Sequence, residues 1–336
     1  MLTALLDEWA FDLPEAQIAR FPPLERDGGR LLVVGSDLAD RQVREFPSLL
    51  RNDDLLVLND VRVRRARLRA SRETGGAVEV LVLRAEGDEG EALVRPARKL
   101  RLGEVLRAGT GHITLLERLE EGVVRVAFSP SLASIEAEVG EIPLPPYLDR
   151  AATPEDDSRY QTVFHRRGPL EGAAAPTAGL HLSEDLLRRI DVAGVERVHV
   201  TLEVGLGTFR PVTAEQLAAG QLHPERYDVP EGTWAALERA KAQGRRVVAV
   251  GTTVVRTLES ASAPGRGETR ILLQPGWVPN RVGAIFTNFH LPRSSLLMLV
   301  AAFGGRERTF AAYRHAVRNG YRFFSYGDAC FFPAPG

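Results

Sequence analysis

The chain has 336 residues, 44% of them hydrophobic and 26% charged, and its 43 basic and 44 acidic side chains leave a formal net charge of −1. That is the composition of a folded globular protein of roughly two domains. It excludes a largely disordered chain, and 31 glycines and 21 prolines without a strict period exclude a collagen-like one. A globally basic nucleic-acid binder is excluded too, although a local basic patch is not.

Residues 30–34 and 55–58 are short apolar runs of strand length, the first preceded by a turn at Pro22-Pro23. From residue 61 the character changes. The runs 61–70, 77–84, 91–95, 112–116 and 123–128 are strand-like and are separated by glycine turns, among them Gly75-Gly76. Closely spaced short strands without a helical period predict a small β-barrel or sandwich. Residues 131–139 fit one short helix, and the proline-rich segment 142–150 reads as a stiff linker.

Strands and helices then alternate. Ser183 is placed to cap a helix through Ile190, and 195–204 is a strand. Thr213 and Gln216 have capping-box spacing for a helix ending near Gly220. Residues 233–243 form a helix with Gly244 at its C-terminal cap, and strand 245–250 runs into Gly251-Thr252-Thr253 and a further helix. Segments 270–274 and 284–287 are short strands, and 294–303 and 307–319 are helices, the second stopped by Gly320. The expected architecture is a layered α/β domain made of residues 1–60 and 150–336, with a small β-barrel domain inserted at 61–149.

Cys330 is the single cysteine, so neither an intramolecular disulfide nor a cysteine-rich zinc site is possible. The first residues have no basic region and meet acids at Asp7 and Glu8, and no apolar run approaches the ~20 residues that span a bilayer. A cytoplasmic protein is the expectation.

Three segments place glycine and hydroxyl residues at apparent element boundaries. One carries Gly205, Gly207 and Thr208; one carries Gly251, Thr252 and Thr253, followed by Arg256; the third is the loop 174–181 with Thr177. Glycine lets backbone approach a ligand, and free N–H groups at a helix start bind anions. A complete dinucleotide fingerprint and a Walker lysine are both absent, and taken singly each segment also fits a tight turn with a capping threonine. His181 and His290 lie at strand-to-helix junctions, where an imidazole can transfer protons, and Glu203 and Asp328 are carboxylates near the same segments. Arg62, Arg65, Arg67 and Arg69 lie in a stretch, 61–72, that holds no acid; in one strand Arg65, Arg67 and Arg69 would share a face. Arg98 and Lys99, with Arg95, Arg101 and Arg107, form a second basic stretch. Both suit a phosphate backbone, or equally a salt-bridged surface.

Taken together, the segments "AAPTAGLH" at 174–181, "TLEVGLGTF" at 201–209, "VGTTVVRTLES" at 250–260, "TNFHLPRSSLLMLV" at 287–300 and "YRFFSYGDA" at 321–329 resemble one enzyme family, the S-adenosylmethionine:tRNA ribosyltransferase-isomerases of queuosine biosynthesis. The resemblance has departures: Val61 interrupts an Asn-Asp-Thr-Arg pattern, Arg65 stands for proline, Glu203 for histidine and Val254 for serine. It implies a layered α/β domain with an inserted barrel. It also implies transfer and isomerisation of the ribosyl part of S-adenosylmethionine onto 7-aminomethyl-7-deazaguanine at the tRNA wobble position, giving epoxyqueuosine with release of adenine and methionine. S-adenosylmethionine is then a cosubstrate, with no permanently bound cofactor or metal, tRNA is the partner, and a monomer is expected. On this reading His181 or His290 is the general base, with Asp328 orienting a histidine or binding a ribose hydroxyl. Thr177, Gly205, Gly207, Thr208, Gly251, Thr252, Thr253 and Arg256 hold the cosubstrate, and Arg62, Arg65, Arg67, Arg69, Arg98 and Lys99 meet tRNA. The competing readings are an S-adenosylmethionine-dependent RNA methyltransferase, whose glycine fingerprint should come early in the chain, and a non-catalytic RNA-binding protein.

Overall fold

Runs without polar alternation occupy the middle of the molecule. In the computed structural model, which describes residues 6–204 and 212–336, Leu55–Asn59, Val247–Val250, Ala284–Asn288 and Ala329–Phe332 are buried at every position, as strands covered on both faces must be. In chain order the strands are β1 (Arg30–Val34), β2 (Leu38–Gln42), β3 (Leu55–Asn59), β4 (Val61–Val63), β5 (Arg67–Arg72), β6 (Ala77–Glu86), β7 (Glu89–Arg95), β8 (Val105–Ala108) and β9 (Gly111–Arg118). They continue with β10 (Val123–Ser129), β11 (Gly140–Glu141), β12 (Arg166–Gly172), β13 (Glu196–Leu202), β14 (Gln221–Val229), β15 (Val247–Val250), β16 (Gly265–Ile271), β17 (Ala284–Asn288) and β18 (Ala329–Phe332). The α-helices are α1 (Leu132–Val139), α2 (Asp156–Arg159), α3 (Glu184–Val192), α4 (Ala214–Ala219), α5 (Glu231–Ala242), α6 (Thr252–Ser260), α7 (Ser295–Gly304) and α8 (Arg306–Arg318).

Nine strands form one sheet in the order β16-β14-β13-β3-β15-β17-β18-β1-β2. Its centre, β13, β3, β15 and β17, is parallel; β18 returns antiparallel, and β1 runs parallel to β18. Along β15, Val247 and Ala249 enter one core while Val248 and Val250 enter the other, the period-two alternation of a strand. Helices α5 to α8 cover the first face with residues such as Leu237, Leu258, Leu297 and Tyr313. The second face is covered by α3 and a 3-10 segment, through Leu186, Ile190 and Phe46. The caps expected at Ser183 and Thr213 are made, and Ser294 adds a third: each side chain accepts a hydrogen bond from a first-turn N–H.

The inserted unit is a closed antiparallel barrel of β5, β6, β7, β10, β9 and β8, shut by β8 pairing back onto β5. Closure leaves no free edge. Leu68 and Ala70 face its core while Arg67 and Arg69 point outward, and α1 covers one end with Leu132 and Ile135.

Three expectations change. The run 61–70 is not one strand. Gln161 holds both backbone groups of Val63 (3.0 and 2.6 Å), the Arg64 N–H donates to the Gly172 carbonyl at 3.0 Å, and the barrel strand begins only at Arg67. Arg65 therefore precedes the strand that presents Arg67 and Arg69. The strand placed at 270–274 lies at Gly265–Ile271, because its partner is β14, whose pairing skips register between Gln221 and Glu225, around Pro224. β2, β8, β11, β12, β14 and β18 add strands where no strand was expected. Among the described residues no helix is long and apolar enough to cross a membrane.

Candidate active site

Four parallel strands end on one edge of the sheet: β13 at Leu202, β3 at Asn59, β15 at Val250 and β17 at Asn288. Each is followed within two residues by polar chemistry, namely Glu203, Asp60, Gly251-Thr252-Thr253 and His290. Carboxyl ends of parallel strands are where open α/β sheets gather ligands. A cavity of about 490 Å³ opens at this edge, lined in part by Thr177, Thr252, Arg256, Asn288, His290 and Tyr147. Its size is that of a small-molecule site.

The strand-to-helix turn at Gly251 has φ 92° and ψ 155°, a conformation essentially confined to glycine. The Gly251 N–H is used by the Phe286 carbonyl at 2.8 Å, and among the described residues no side chain caps α6. The first N–H groups of the helix are thus available at the cavity wall. Thr253 is oriented by Asn59, whose Nδ2 donates to its Oγ1 at 3.2 Å. One turn on, Arg256 is buried and ion-paired with Glu225, itself buried on the same wall. Glu225 was not anticipated, because its strand was not.

The two histidines have different surroundings. His290 lines the cavity; its Nε2 shares a hydrogen bond with Thr287 Oγ1 at 3.1 Å, and its backbone N–H donates to the Tyr313 hydroxyl at 3.0 Å. Burial lowers its pKa to about 3, so the ring is neutral. His181 is not on the wall. It lies against the edge of Phe286 and is hydrogen-bonded to Asn288 at 3.0 Å; burial, and secondarily the Arg322 charge, lower it to about 4. Asp328 does not line the cavity either. One of its oxygens accepts from the Arg30 N–H (2.9 Å) and the other from the Arg322 N–H (2.7 Å), which joins the starts of β1 and β18 to the preceding turn. Gly205, Gly207 and Thr208 lie outside the described residues.

A second cavity, about 340 Å³, lies in the seam between the barrel and β14. It is lined by Glu91, Glu120 and Glu203 among others and shares His223 and Glu225 with the first. Gln216 fixes the His223 ring: its Oε1 accepts from the Thr213 N–H, so its Nε2 donates to His223 Nε2 at 3.0 Å. Among the described residues no three His, Cys, Asp or Glu side chains are grouped to hold a metal.

Comparison with known proteins places the chain in a family. The profile of a family described as queuosine biosynthesis protein matches residues 6–332. The chain belongs to this family. It is 48% identical to the S-adenosylmethionine:tRNA ribosyltransferase-isomerase of Methylobacterium radiotolerans over 350 aligned positions, 98% of each chain. It is 45% identical to the enzyme of the same name from Syntrophomonas wolfei over 96% of each. Among solved structures, the S-adenosylmethionine tRNA ribosyltransferase from Thermotoga maritima is 33% identical, with a TM-score of 0.56 over 97% of this chain and 99% of that one.

Three of the residues at which the sequence departs from the expected pattern have surroundings that accommodate them. Glu203 is buried and takes an ion pair from Arg226 Nε at 2.6 Å. Val254 is fully buried in the core under α6, where it adds apolar contact. Arg65 makes a two-point ion pair with Asp157.

The remaining arginines of the first basic stretch are also held internally. Arg62 pairs with Glu171 at 3.0 Å, Arg69 binds both oxygens of Glu141 at 3.0 Å, and Arg67 reaches the Leu144 carbonyl at 3.0 Å with Glu79 at 3.8 Å. Arg98, like Arg95 and Arg101, is exposed, and none of the three has an ion-pair partner among the described residues. The side chain of Lys99 lies outside the described set.

Proposed function

We propose that the protein transfers and isomerises the ribosyl group of S-adenosylmethionine onto 7-aminomethyl-7-deazaguanine in tRNA, and that the 490 Å³ cavity is where the cosubstrate reacts. The observation that carries the assignment is the convergence of the family's separate motifs on one wall: the loop with Thr177, the α6 start, and the segment with Asn288 and His290. The family and its near-full-length relatives make this an enzyme of queuosine biosynthesis and disfavour a methyltransferase or a passive RNA binder.

In this reading the uncapped α6 start receives the methionine carboxylate, with the positive end of the helix favouring the anion. Arg256, already neutralised by Glu225, contributes shape and a hydrogen bond more than net charge. The sulfonium acidifies the ribose 5′ carbon, and a neutral base must take that proton. Of the two histidines considered, His290 is the one at the cavity. Burial makes it a weak base when the site is empty, and an entering carboxylate raises its pKa again. His181 and Asp328 support the wall from behind. The seam cavity, which meets the first at His223 and Glu225, is the natural entry for the modified base, since carboxylates suit its cationic aminomethyl group. The barrel, with the insertion taken as 61–149, offers the exposed Arg95, Arg98 and Arg101 to phosphates, whereas Arg62, Arg65, Arg67 and Arg69 would have to exchange carboxylates for them. The enzyme acts as a cytoplasmic monomer without a resident cofactor.

The decisive experiment is incubation with tRNA bearing the aminomethyl base and S-adenosylmethionine labelled separately in its ribose and its methyl group. Ribose label in tRNA with free adenine is the expected result. Methyl label in tRNA, or no turnover by folded protein, overturns the proposal.

A further inference from the structure

Asn288 ends β17 on the cavity wall and is 1% exposed. Its Nδ2 faces three groups: the Phe324 carbonyl at 2.9 Å, His181 Nε2 at 3.0 Å and, at 3.5 Å, the Ser325 carbonyl. Backbone carbonyls only accept, so this end of the amide must be the NH₂. Both its hydrogens are then engaged, and His181 Nε2 must be the unprotonated nitrogen. Burial, which lowers the His181 pKa to about 4, keeps the ring neutral at pH 7, as an unprotonated Nε2 requires. The other end of the amide is different: Oδ1 is buried and has no hydrogen-bond partner among the described residues. Buried acceptors left unpaired are costly and uncommon.

The backbone that enforces this polarity is itself unusual. Phe324 has φ 75°, a left-handed conformation that bulky residues rarely adopt. It is held there by its N–H donating to the Phe289 carbonyl at 3.0 Å and by the Gly327 N–H donating to its own carbonyl at 2.9 Å. Its ring stacks on Tyr147 across the wall, with centroids 4.1 Å apart. The fold thus places a carbonyl and an imidazole lone pair around one end of Asn288, at the expense of backbone strain.

We propose that Asn288 Oδ1 is a pre-set hydrogen-bond acceptor for an amino group of the substrates, and that His181 is the positioning residue that fixes its direction. This rests on the cavity being the cosubstrate site. The reactants carry four amino groups: the exocyclic amine of adenine, the ammonium of the methionine moiety, and the aminomethyl and 2-amino groups of the tRNA base. All present N–H donors, and none can replace the NH₂ end of Asn288 against two acceptors. An amide free to flip would offer a donor as readily as an acceptor and lose the distinction.

The test is calorimetric binding of S-adenosylmethionine, its 6-oxo purine analogue and its analogue lacking the α-amino group, together with KM and kcat for the tRNA. The proteins are wild type, Asn288→Ala, His181→Leu and His181→Gln, the last keeping an acceptor for Nδ2. Wild type should prefer the amino-bearing ligand at one of these positions by about ten- to a hundredfold, and Asn288→Ala should reduce that preference to below about threefold. Loss of preference against the 6-oxo analogue assigns the adenine amine, and loss against the deaminated one assigns the ammonium. A rise in tRNA KM with unchanged cosubstrate affinity assigns an amino group of the tRNA base. His181→Leu should follow Asn288→Ala, and His181→Gln should restore the preference. Folded Asn288→Ala that keeps the wild-type preferences and tRNA KM overturns the proposal. Wild type that binds no S-adenosylmethionine instead overturns the reading of the cavity on which it rests.

Discussion

Replacing Gly251 with alanine probes the helix start proposed to receive the cosubstrate carboxylate. At φ 92° and ψ 155° an alanine is strained by about 1–3 kcal/mol. Its Cβ would also lie 3.3 Å from the Cβ of Ala178, whose neighbour Thr177 lines the cavity. Relief of either stress moves the α6 start or the Thr177 loop, and the ligand must restore both. At 1.4 kcal/mol per tenfold, the affinity for S-adenosylmethionine should fall by about 5- to 140-fold. Gly265→Ala is the matched control: its φ is 98°, an added Cβ meets no atom within 4 Å, and it does not line the cavity. Thermal unfolding should show both variants destabilised, while titration calorimetry should show only Gly251→Ala losing affinity. Wild-type affinity in Gly251→Ala, or an equal loss in Gly265→Ala, would refute the reasoning.

Three further outcomes are expected. His290→Ala should lower turnover by about two to four powers of ten with cosubstrate affinity largely kept; near-normal single-turnover rates would move base catalysis to Glu225 or to the substrate's own amine. Burial depresses His181 to about 4 and His290 to about 3 from an ordinary 6.5, so below pH 6.5 the unfolded chain takes up protons that the folded one refuses. The stability this provides is complete above about pH 6.5 and lost as pH falls towards 3; a double His→Gln variant should show a shallower decline in urea midpoint than wild type, and parallel curves would count against it. Replacing Arg95, Arg98 and Arg101 together by Gln should weaken tRNA binding and flatten its salt dependence more than replacing Arg65, Arg67 and Arg69, which are tied to acids or carbonyls; the reverse order in filter-binding titrations would favour the paired set as the contact.

What could be read in advance followed from local chemistry. Ser183, Thr213 and Ser294 mark helix starts because their hydroxyls satisfy first-turn N–H groups. Gly251 stands out because a buried strand turning at once into a helix needs its backbone freedom. β14 was illegible: in Gln221–Val229, Pro224 and three charged side chains mask a strand whose pairing depends on partners distant in sequence. With it went Glu225, whose role follows from Arg256 across the fold. His181 and His290 looked equivalent because both sit at junctions; which one meets the cavity is decided by Asn288, standing between His181 and the open space. The first basic stretch could not be told from a salt-bridged surface, because Asp157, Glu141 and Glu171 come from well beyond it in the chain.

The position of β18 bears on how the chain is made. β18 sits between β17 and β1, and β1 has no sheet neighbours other than β18 and the exposed β2. During synthesis the β1–β2 hairpin leaves the ribosome some three hundred residues ahead of the strand that joins it to the sheet. Until Ala329–Phe332 emerges, the hairpin has no place in the sheet, and Asp328 cannot tie the Arg30 backbone to the turn that carries Phe324. The barrel, whose strands are contiguous in the chain, can close on the nascent chain long before this. A chain interrupted before β18 is therefore expected to carry a closed barrel beside a sheet that lacks the strand joining β17 to β1.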